Sequence, residues 1–407
     1  MNNKTIHIPH IYLPKRGIDL SKYSVIACDQ FTSQIDYWEK VKALVGNNVS
    51  TYHMIFPEAY LGKVNEGKYI EGINKNINTY LNDGSLVDIG ECFILVERIT
   101  SFGVRRLGLV LSIDLEDYSY NLKDKAKIRA SEATIVERIP PRLKIRKDAP
   151  LELPHTLLLY DDKNKQIIEK LYQNRTNLEK LYDFDLNMEG GHIRGYRVNN
   201  VNEVIAQFED LYTQNNNGIM FIVGDGNHSL ATAKAHWDII KENLSEEERL
   251  NHPARFALVE VNNLYDDGIV FEPIHRLIFN ASNDFADKFI QAMNGGYLSQ
   301  VYLSSSFSLE LHLPKNGPEA YLMVQTYLDE YLKEHKESSI DFIHDEDQLI
   351  DVCEQNDKSV AIIMPSLTKD DIFTYLSLGR VLPRKSFSMG HASEKRYYLE
   401  GKKIINK

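Results

Sequence analysis

The feature that most constrains the fold is a junction at residues 218–236, where an apolar run meets a helix-like segment through a turn containing two glycines. Residues 219–223 have the length and bulk of a buried strand, and residues 230–237 suit a close-packed helix. The turn between them would lie at a helix N-terminus, where unpaired backbone N–H groups and the helix dipole favour an anion. The junction therefore predicts a phosphate site formed by Gly224, Gly226, Asn227 and Ser229.

Two well-known phosphate loops do not match this turn. It lacks the Gly-Lys-Ser/Thr ending of a Walker loop, and Ser229 stands where the third glycine of a dinucleotide-binding loop would be. A dinucleotide site would also need an acidic residue at the end of a second strand, whereas residues 246–248 form a solvated acidic run. The remaining alternative is an ordinary strand-to-helix turn in which Asp225 or Asn227 only caps the helix.

Four segments carry a resemblance to a known family. The turn GDGNHSLATA is similar to the Asp-Gly-His-His-Arg turn of an uncharacterised prokaryotic family, domain of unknown function 1015. Three other stretches resemble the family's His-Glu-x-Thr segment, its Asp-Pro-Gly-Leu and Pro-Thr-His-Arg pair, and its Pro-x-Lys-Ser segment; they are residues 129–134, 267–276 and 383–386. Because the matches follow the family's order across nearly the whole chain, the sequence is identified as a member.

The turn also resembles the Gly-x-His-Arg loop of the ParB, sulfiredoxin and free-serine kinase superfamily. That resemblance implies a ParB/sulfiredoxin-like core with additional α/β lobes, nucleotide or phosphoryl chemistry, and serine or phosphoserine as substrate; it is an analogy at the level of the fold. Two positions depart from the family's turn, because its first His is Asn227 here and its Arg is Ser229. Without that Arg, backbone amides, His228 and residues from elsewhere are left to hold an anion.

Composition narrows the function classes. The chain has 407 residues and a net charge of −11, which disfavours general nucleic-acid binding. No apolar stretch of 18 residues occurs and the first residues lack a signal-peptide core, so a cytoplasmic protein without a membrane partner is expected. Its three widely spaced cysteines fit a reducing compartment, and without a C-x-x-C or H-E-x-x-H motif we name no metal ligands.

One local segment has the opposite charge. Residues 123–147 contain nine basic residues against three acidic ones. Such a run is commonly a solvated face, but it could also form a phosphate-collecting rim that includes Arg142. Pro140 and Pro141 suggest that Arg142, Lys144 and Arg146 alternate outward from an extended piece.

Strands and helices mix throughout, which predicts a mixed α/β protein. Strands are predicted at residues 24–28, 92–98, 107–113, 156–160, 219–223, 256–261, 307–312 and 359–363. Helices are predicted at residues 35–45, 69–81, 165–182, 201–214, 228–243, 283–293, 319–334 and 368–378. We expect a mixed α/β core at residues 1–280, with the glycine turn and the basic run, and a smaller α/β lobe at residues 281–407 with a cationic C-terminal segment.

Several polar residues are candidates for chemistry, each with a plain structural alternative. Asp29 follows an apolar strand and could activate a hydroxyl or hold Mg²⁺, or simply start a turn. Glu132 could be a general base or a solvated partner of Arg129. The catalytic candidates are Asp29, Glu132, Asp225 and His228. The phosphate-binding candidates outside the turn are Arg142, His275, Arg276 and Lys385, and residues 380–396 could be a mobile cationic segment or a poorly ordered tail.

These parts suit phosphoryl transfer, which needs mainly positioning, cations and one base. Our hypothesis is a small-molecule phosphotransferase or phosphatase acting on serine, phosphoserine or a similar metabolite. Mg²⁺ and an adenine nucleotide are candidate cofactors, and a phosphorylated metabolite or nucleotide is the expected partner. The alternative is a sensor that binds such a compound without turnover. A DNA-binding protein of the ParB kind is disfavoured by the acidic charge.

Overall fold

In the computed structural model, which describes residues 4–121 and 124–406, strands and helices alternate along most of the chain. The strands are β1 Ile6–His7, β2 His10–Pro14, β3 Leu86–Glu91, β4 Phe93–Ile99, β5 Arg105–Asp114, β6 Tyr118–Ser119, β7 Ile128–Ala130, β8 Leu151–Glu152, β9 Leu157–Tyr160, β10 Glu179–Leu186, β11 Gly191–Val198, β12 Phe221–Asp225, β13 Phe256–Asn263, β14 Phe271–Pro273, β15 His275–Phe279, β16 Tyr297–Leu303, β17 Phe307–Leu313, β18 Ser339–Ile343, β19 Val360–Ile362, β20 Phe387–Met389 and β21 Lys402–Lys403. The mixed α/β class predicted from the sequence is confirmed.

The helices are α1 Leu20–Tyr23, α2 Ile35–Val45, α3 Glu66–Asn82, α4 Ile139–Arg146, α5 Ile168–Gln173, α6 Val201–Asn215, α7 Asn227–Lys241, α8 Glu246–Asn251, α9 Phe285–Ala292, α10 Gly317–Glu334, α11 Glu346–Glu354 and α12 Lys369–Ser377. Short 3₁₀ helices include Thr51–Met54 and Glu58–Tyr60. Among the residues described, no helix combines the length and apolarity needed to cross a membrane.

The chain divides into two compact units. The first comprises residues up to 130, residues 134–269 and residues from 391 onward, and the second comprises residues 131–133 and 270–390. This division differs from the expected one at residue 281, because β14 pairs with β20 and β15 joins the second unit's sheet. Residues 391–406 belong to the first unit, because their buried side chains pack there rather than against residues 270–390.

The first unit is built on a ten-stranded sheet of described residues, with the order β10-β11-β4-β5-β13-β9-β12-β7-β6 and β1 paired to β5. Alternate side chains of its central strands enter two separate cores. Phe93 and Leu95 of β4 pack with helices α6 and α7, whereas Ile94 and Val96 pack with α2 and α3. The sheet is therefore covered on both faces, which explains why its central strands are continuous apolar runs.

The glycine turn lies at the end of β12 in this sheet. β12 runs parallel to β7 and antiparallel to β9, and β9 in turn runs parallel to β13. The chain leaves β12 at Asp225 and enters α7 at Asn227. The predicted strand–turn–helix order at this junction is confirmed, with the strand found at residues 221–225.

The C-terminal residues of the first unit are anchored by a buried ion network. Arg396 lies 2.8 Å from Glu260 of β13 and 2.6 Å from Glu400, and all three side chains are at most 5% exposed. Tyr397 forms an isolated β-bridge with Ile26. The expectation of a mobile segment or a poorly ordered tail at residues 380–396 is therefore wrong for Lys395 and Arg396, which are buried.

The second unit contains a five-stranded sheet with the order β17-β16-β19-β15-β18. Leu277 of β15, Ala361 of β19 and Leu349 of α11 share a small core. Helix α10 is amphipathic, and its buried residues include Tyr321, Val324 and Leu328.

Two of the predicted elements are wrong. Residues 24–28 form only the bridge at Ile26, because the neighbouring polar groups bond to other loops, with the Ser24 hydroxyl donating to the Tyr398 carbonyl. The predicted helix 165–182 ends at Gln173, and its remainder enters β10, which pairs with β11. Pairing of β10 with β11 in a hairpin therefore outweighs the local helical spacing.

The Arg396 network predicts a large effect of one substitution. Arg396→Met should lower the free energy of unfolding by about 3–5 kcal/mol, because it leaves the buried Glu260 and Glu400 carboxylates without their cation. The measurement is urea denaturation followed by the fluorescence of Trp38 and Trp237, which both lie in the first unit. Lys42→Met is the matched control, since Lys42 is exposed and pairs with Glu39 at 3.8 Å, and should cost less than about 1 kcal/mol. Equal effects would contradict the assignment.

Candidate functional site

The glycine turn brings the N-terminus of α7 against another backbone segment. Gly226 has φ +81°, and a Cβ at this position would lie 2.9 Å from the Thr156 Cα. Both the positive φ and the close approach therefore require glycine. No side chain caps α7, and the Asp225 carboxylate instead accepts the Gly226 amide at 2.9 Å. The capping role considered for Asp225 or Asn227 is not seen.

His228 is engaged by the loop that precedes α4. Its Nε2 accepts a hydrogen bond from the Ile135 amide at 3.3 Å, and its carbonyl accepts one from the Thr232 hydroxyl at 2.7 Å. The first contact requires an unprotonated Nε2. His228 therefore holds the Ile135 segment against the first turn of α7.

A second histidine, His155, is at the centre of the polar contacts beside the turn. Its Nε2 lies 2.8 Å from the Ser229 Oγ and 3.5 Å from an Asp29 carboxylate oxygen. Its Nδ1 lies 2.8 Å from the Tyr398 hydroxyl, which also accepts the Cys28 amide at 3.1 Å. These contacts gather residues from positions 28 to 398 around one buried imidazole.

The Asp29–His155 pair carries opposite charges. Burial alone would raise the pKa of the Asp29 carboxyl, but the charge of His155 and hydrogen bonds from His155 and Gln30 lower it below its usual value. Burial alone would lower the pKa of His155, but Asp29 and, to a lesser extent, Asp225 raise it. The geometry thus favours the imidazolium form of His155 beside the Asp29 carboxylate.

The contacts do not form a serine-hydrolase triad. In a triad the carboxylate orients one ring nitrogen and the serine bonds to the other. Here Asp29 and Ser229 share Nε2, and Tyr398 occupies Nδ1. The arrangement therefore suits charge placement around a ligand rather than activation of Ser229 as a nucleophile.

Two further ion pairs border the same region. Lys395 lies 3.2 Å from an Asp225 oxygen, and its side chain is largely buried. Arg142 of α4 forms a close ion pair with Glu58. Burial raises the pKa of Glu58, partly offset by the charge of Arg142.

The basic run differs from the expected extended rim. Residues 139–146 form helix α4, because Pro140 and Pro141 occupy its first turn, where a proline is tolerated. Arg142 and Arg146 are paired with Glu58 and Glu152 rather than exposed as an open rim. Lys123 of this run lies outside the described residues.

A cavity of about 170 Å³ opens beside the first turn of α7. Its polar lining consists of Cys28, Glu58, Arg142, Arg146, Glu152, His155, Thr156, Ser229, Thr232 and Tyr398. The remaining lining is apolar and includes Met54 at the end of the 3₁₀ helix Thr51–Met54, Phe56 from the loop after it, Ile73 and Ile77 from α3, and Ala233 from α7. The cavity therefore connects the glycine turn with an apolar interior.

Four predicted site residues belong to the second unit, where they have structural roles. Glu132 accepts the amides of Lys385 and Ser386 at 3.1 and 3.0 Å, and burial raises its pKa. Lys385 has φ +59° and supplies its carbonyl to Arg276 at 2.9 Å.

His275 and Arg276, two of the phosphate-binding candidates, both lie buried in the second unit. His275 is buried, its Nδ1 accepts the Met364 amide at 3.0 Å, and burial lowers its pKa to about 4. Arg276 is fully buried between the rings of Tyr321 and Phe342, each 5.1 Å away. His275 therefore accepts a hydrogen bond as a neutral imidazole, and Arg276 is a cation buried in the core of the second unit.

The sequence did not single out His155, Tyr398 or Glu58 as site residues, and it indicated Lys395 only as part of the cationic segment at residues 380–396. His155 and Thr156 stand directly before the apolar strand β9, which was the only local signal. Asp29 and Tyr398 lie 126 and 243 residues from His155 in the sequence, so no local motif links them to it. Among the residues described, no group of three or more His, Cys, Asp or Glu side chains could hold a metal ion.

The Asp29–His155 pair predicts a pH-dependent stability. The lowered pKa of Asp29 stabilises the fold at pH values above the carboxyl's pKa in the unfolded chain, about 3.9. The raised pKa of His155 stabilises the fold at low pH, and this stability is lost as the pH rises above the imidazole's pKa in the unfolded chain, about 6.5. Asp29→Asn should therefore reduce the urea midpoint most at about pH 5–6 and less at pH 8–9. Asp148→Asn, at an exposed position, is the control and should show no such trend. A reduction that is the same at every pH would refute the charged pair.

Comparisons with known proteins were made on the whole chain. A profile of the family described as "Protein of unknown function (DUF1015)" matches residues 12–373. No curated protein matches the chain.

The solved structures that are similar to this chain include the following three. A conserved hypothetical protein from Pyrococcus furiosus is 11% identical with a TM-score of 0.35, over 71% of this chain and 90% of that chain. Free serine kinase in complex with AMP is 10% identical with a TM-score of 0.39, over 73% and 91%. SbnI with a C-terminal truncation from Staphylococcus aureus is 9% identical with a TM-score of 0.37, over 69% and 82%.

The profile match covers most of the chain and includes the glycine turn and the segments 129–134 and 267–276. The family resemblance predicted from these motifs is confirmed. This protein belongs to the DUF1015 family.

Proposed function

We propose that this protein binds a phosphate compound or nucleotide at the first turn of α7 and transfers or removes a phosphoryl group on serine, phosphoserine or a similar small metabolite. The observation that carries the proposal is the N-terminus of α7, which has no side-chain cap and adjoins a cavity lined by Arg142, His155 and Ser229. First-turn amides and the helix dipole favour an anion there, and two cations stand beside it.

The charged side chains have distinct roles in this proposal. The amides of α7 and the Ser229 hydroxyl hold phosphate oxygens, and the His155 imidazolium offers a charge-assisted hydrogen bond to one of them. Asp29 is ionised and accepts the proton of an attacking hydroxyl while the new P–O bond forms and the leaving P–O bond breaks. Arg142 adds charge once a phosphate competes with Glu58 for its guanidinium.

An adenine nucleotide is proposed as the phosphoryl donor or acceptor, on the resemblance of the glycine turn to nucleotide-binding loops. Mg²⁺ is proposed only as an ion bound to the nucleotide phosphates, because the Asp29 and Asp225 carboxylates already pair with His155 and Lys395. We therefore assign no step to the metal. The free thiols Cys28, Cys92 and Cys353 support the proposed cytoplasmic location.

A sensor without turnover is the second candidate. The observation that favours it is Ser229, which stands where the family's turn carries an Arg and which bonds to His155 instead. Removing that Arg weakens the stabilisation of a transferring phosphoryl group more than it weakens binding by backbone amides. Turnover distinguishes the two candidates.

The decisive experiment is phosphorus NMR on the purified protein with Mg²⁺. The protein is offered phosphoserine alone, phosphoserine with AMP, and serine with ADP or ATP. For an enzyme we expect free phosphate or a transferred phosphoryl group, with the rate reduced at least roughly 100-fold in Asp29→Asn, the size of effect typical of a lost acid–base group. Line broadening of one compound without turnover would favour the sensor. The absence of both turnover and line broadening would reject the phosphate site.

The glycine turn is tested by binding of inorganic phosphate to Gly226→Ala. The new Cβ should press against Thr156, shift the first-turn amides and lower the affinity at least roughly tenfold, as expected for one lost charge-assisted hydrogen bond. Gly84→Ala is the matched control, because Gly84 also has a positive φ, of +73°, but has open space around a Cβ. This control therefore introduces the same backbone strain as Gly226→Ala without a steric clash. Isothermal titration calorimetry gives both affinities. Unchanged affinity in a folded Gly226→Ala protein would refute the turn as the phosphate site.

A further inference from the structure

We infer that the ligand of this site carries a compact hydrocarbon group, of the size of a branched alkyl chain or a phenyl ring, next to its phosphate or hydroxyl group. The inference rests on the proposed function for the anion at α7, and it specifies the chemical group next to that anion, selecting hydrocarbon-bearing metabolites over serine. It is drawn from the polarity, depth and volume of the cavity.

The cavity has a polar end that reaches solvent. The side chains of Glu58 and Arg142 are each 17% exposed, and Asp29, beside His155, is 26% exposed. Ser229 lines the cavity and is the third residue of α7, so the first turn of the helix faces the polar end. An anion held there would keep access to water and to the cations.

The other end of the cavity is apolar and buried. Met54, Ile73 and Ile77 are at most 4% exposed, although all three border empty space. They come from separate elements, with the two isoleucines one turn apart on the same face of α3. Ala233 of α7 and Ile145 of α4 line the cavity as well. These side chains offer no hydrogen-bond donors or acceptors to a ligand.

The volume limits the size of the group. Protein interiors contain few voids larger than a water molecule, so a cavity of about 170 Å³, counted over its polar and apolar parts together, is unusual as a packing defect. An engineered apolar cavity of about 150 Å³ stays dry and binds benzene, so the apolar part of this cavity takes a group no larger than a branched alkyl chain or a phenyl ring. The hydroxymethyl group of serine would leave the apolar side chains without a contact. A nucleobase fits less well than a hydrocarbon, because its ring nitrogens would face Met54, Ile73 and Ile77 without partners.

The test is a calorimetric titration of the full chain with inorganic, methyl, isobutyl and phenyl phosphate. The phosphate is the same throughout, so differences in affinity report the hydrocarbon. We expect roughly fourfold tighter binding for each buried methylene, and therefore at least tenfold from methyl to isobutyl or phenyl phosphate. Binding of isobutyl and phenyl phosphate no tighter than inorganic phosphate, or no binding of either, would overturn the inference.

Filling the cavity should remove this selectivity. Ala233→Leu places three more carbons in the apolar part, and Ile73→Phe fills it from α3 should the first variant not fold. Either should bring the ratio of phenyl phosphate to inorganic phosphate affinity close to one. Ala235→Leu is the matched control, since Ala235 lies on the same helix and does not line the cavity, and the ratio should stay high.

The outcomes separate this inference from the proposed function. Loss of inorganic phosphate binding in Gly226→Ala supports the phosphate site whatever the hydrocarbon does. If inorganic phosphate binds and the hydrocarbon adds nothing, only the present inference fails. If Ala233→Leu weakens AMP and leaves the affinity for phenyl phosphate unchanged, the apolar end holds the nucleobase and the inference is overturned.

Discussion

The close contact between Gly226 and Thr156 is the constraint on which the rest of the site depends. Because the turn approaches the Thr156 backbone without an intervening side chain, the first turn of α7 lies directly against the start of β9. His155 immediately precedes Thr156, and this adjacency brings its ring to Ser229. Thr156 is in turn fixed by its carbonyl, which accepts the Glu260 amide of β13 at 3.1 Å. The sheet thus positions the turn and the imidazole together.

Charge compensation is the second property of the site. Asp29 faces His155, Asp225 faces Lys395, and Glu58 faces Arg142. Each of these partly buried carboxylates would be costly without a cation, and each pair reduces that cost. In the proposed function, a phosphate group would replace carboxylates around cations that are already present. Binding would then exchange ion pairs rather than create new buried charge.

Local patterns predicted some parts of this structure well and missed others for identifiable reasons. Helix α2 begins and ends where its apolar spacing indicated, and the strand–turn–helix junction was legible because glycines, a strand and a helix follow each other within 20 residues. The hairpin of β10 and β11 was missed because helical spacing continues into β10, and because β11 is fixed by pairing with β4, which lies far away in sequence.

The site followed the same division. The turn was visible from the sequence, whereas the contacts of His155 with Asp29 and Tyr398 depend on how three distant segments converge. The basic run was misleading for a different reason. Arg142 and Arg146 pair with Glu58 and Glu152, which lie outside the run, and the composition of a segment does not show such partners.

The return of residues 391–406 to the first unit has a consequence for how this protein is made. Tyr398 and Lys395 complete the surroundings of His155 and Asp225, and Arg396 completes those of Glu260, only after the whole second unit has been synthesised. During translation, the Asp225 and Glu260 carboxylates therefore lack their cations, and the His155 imidazole lacks one of its partners, until residues 395–398 have been synthesised. A chain that ends inside the second unit cannot form these contacts.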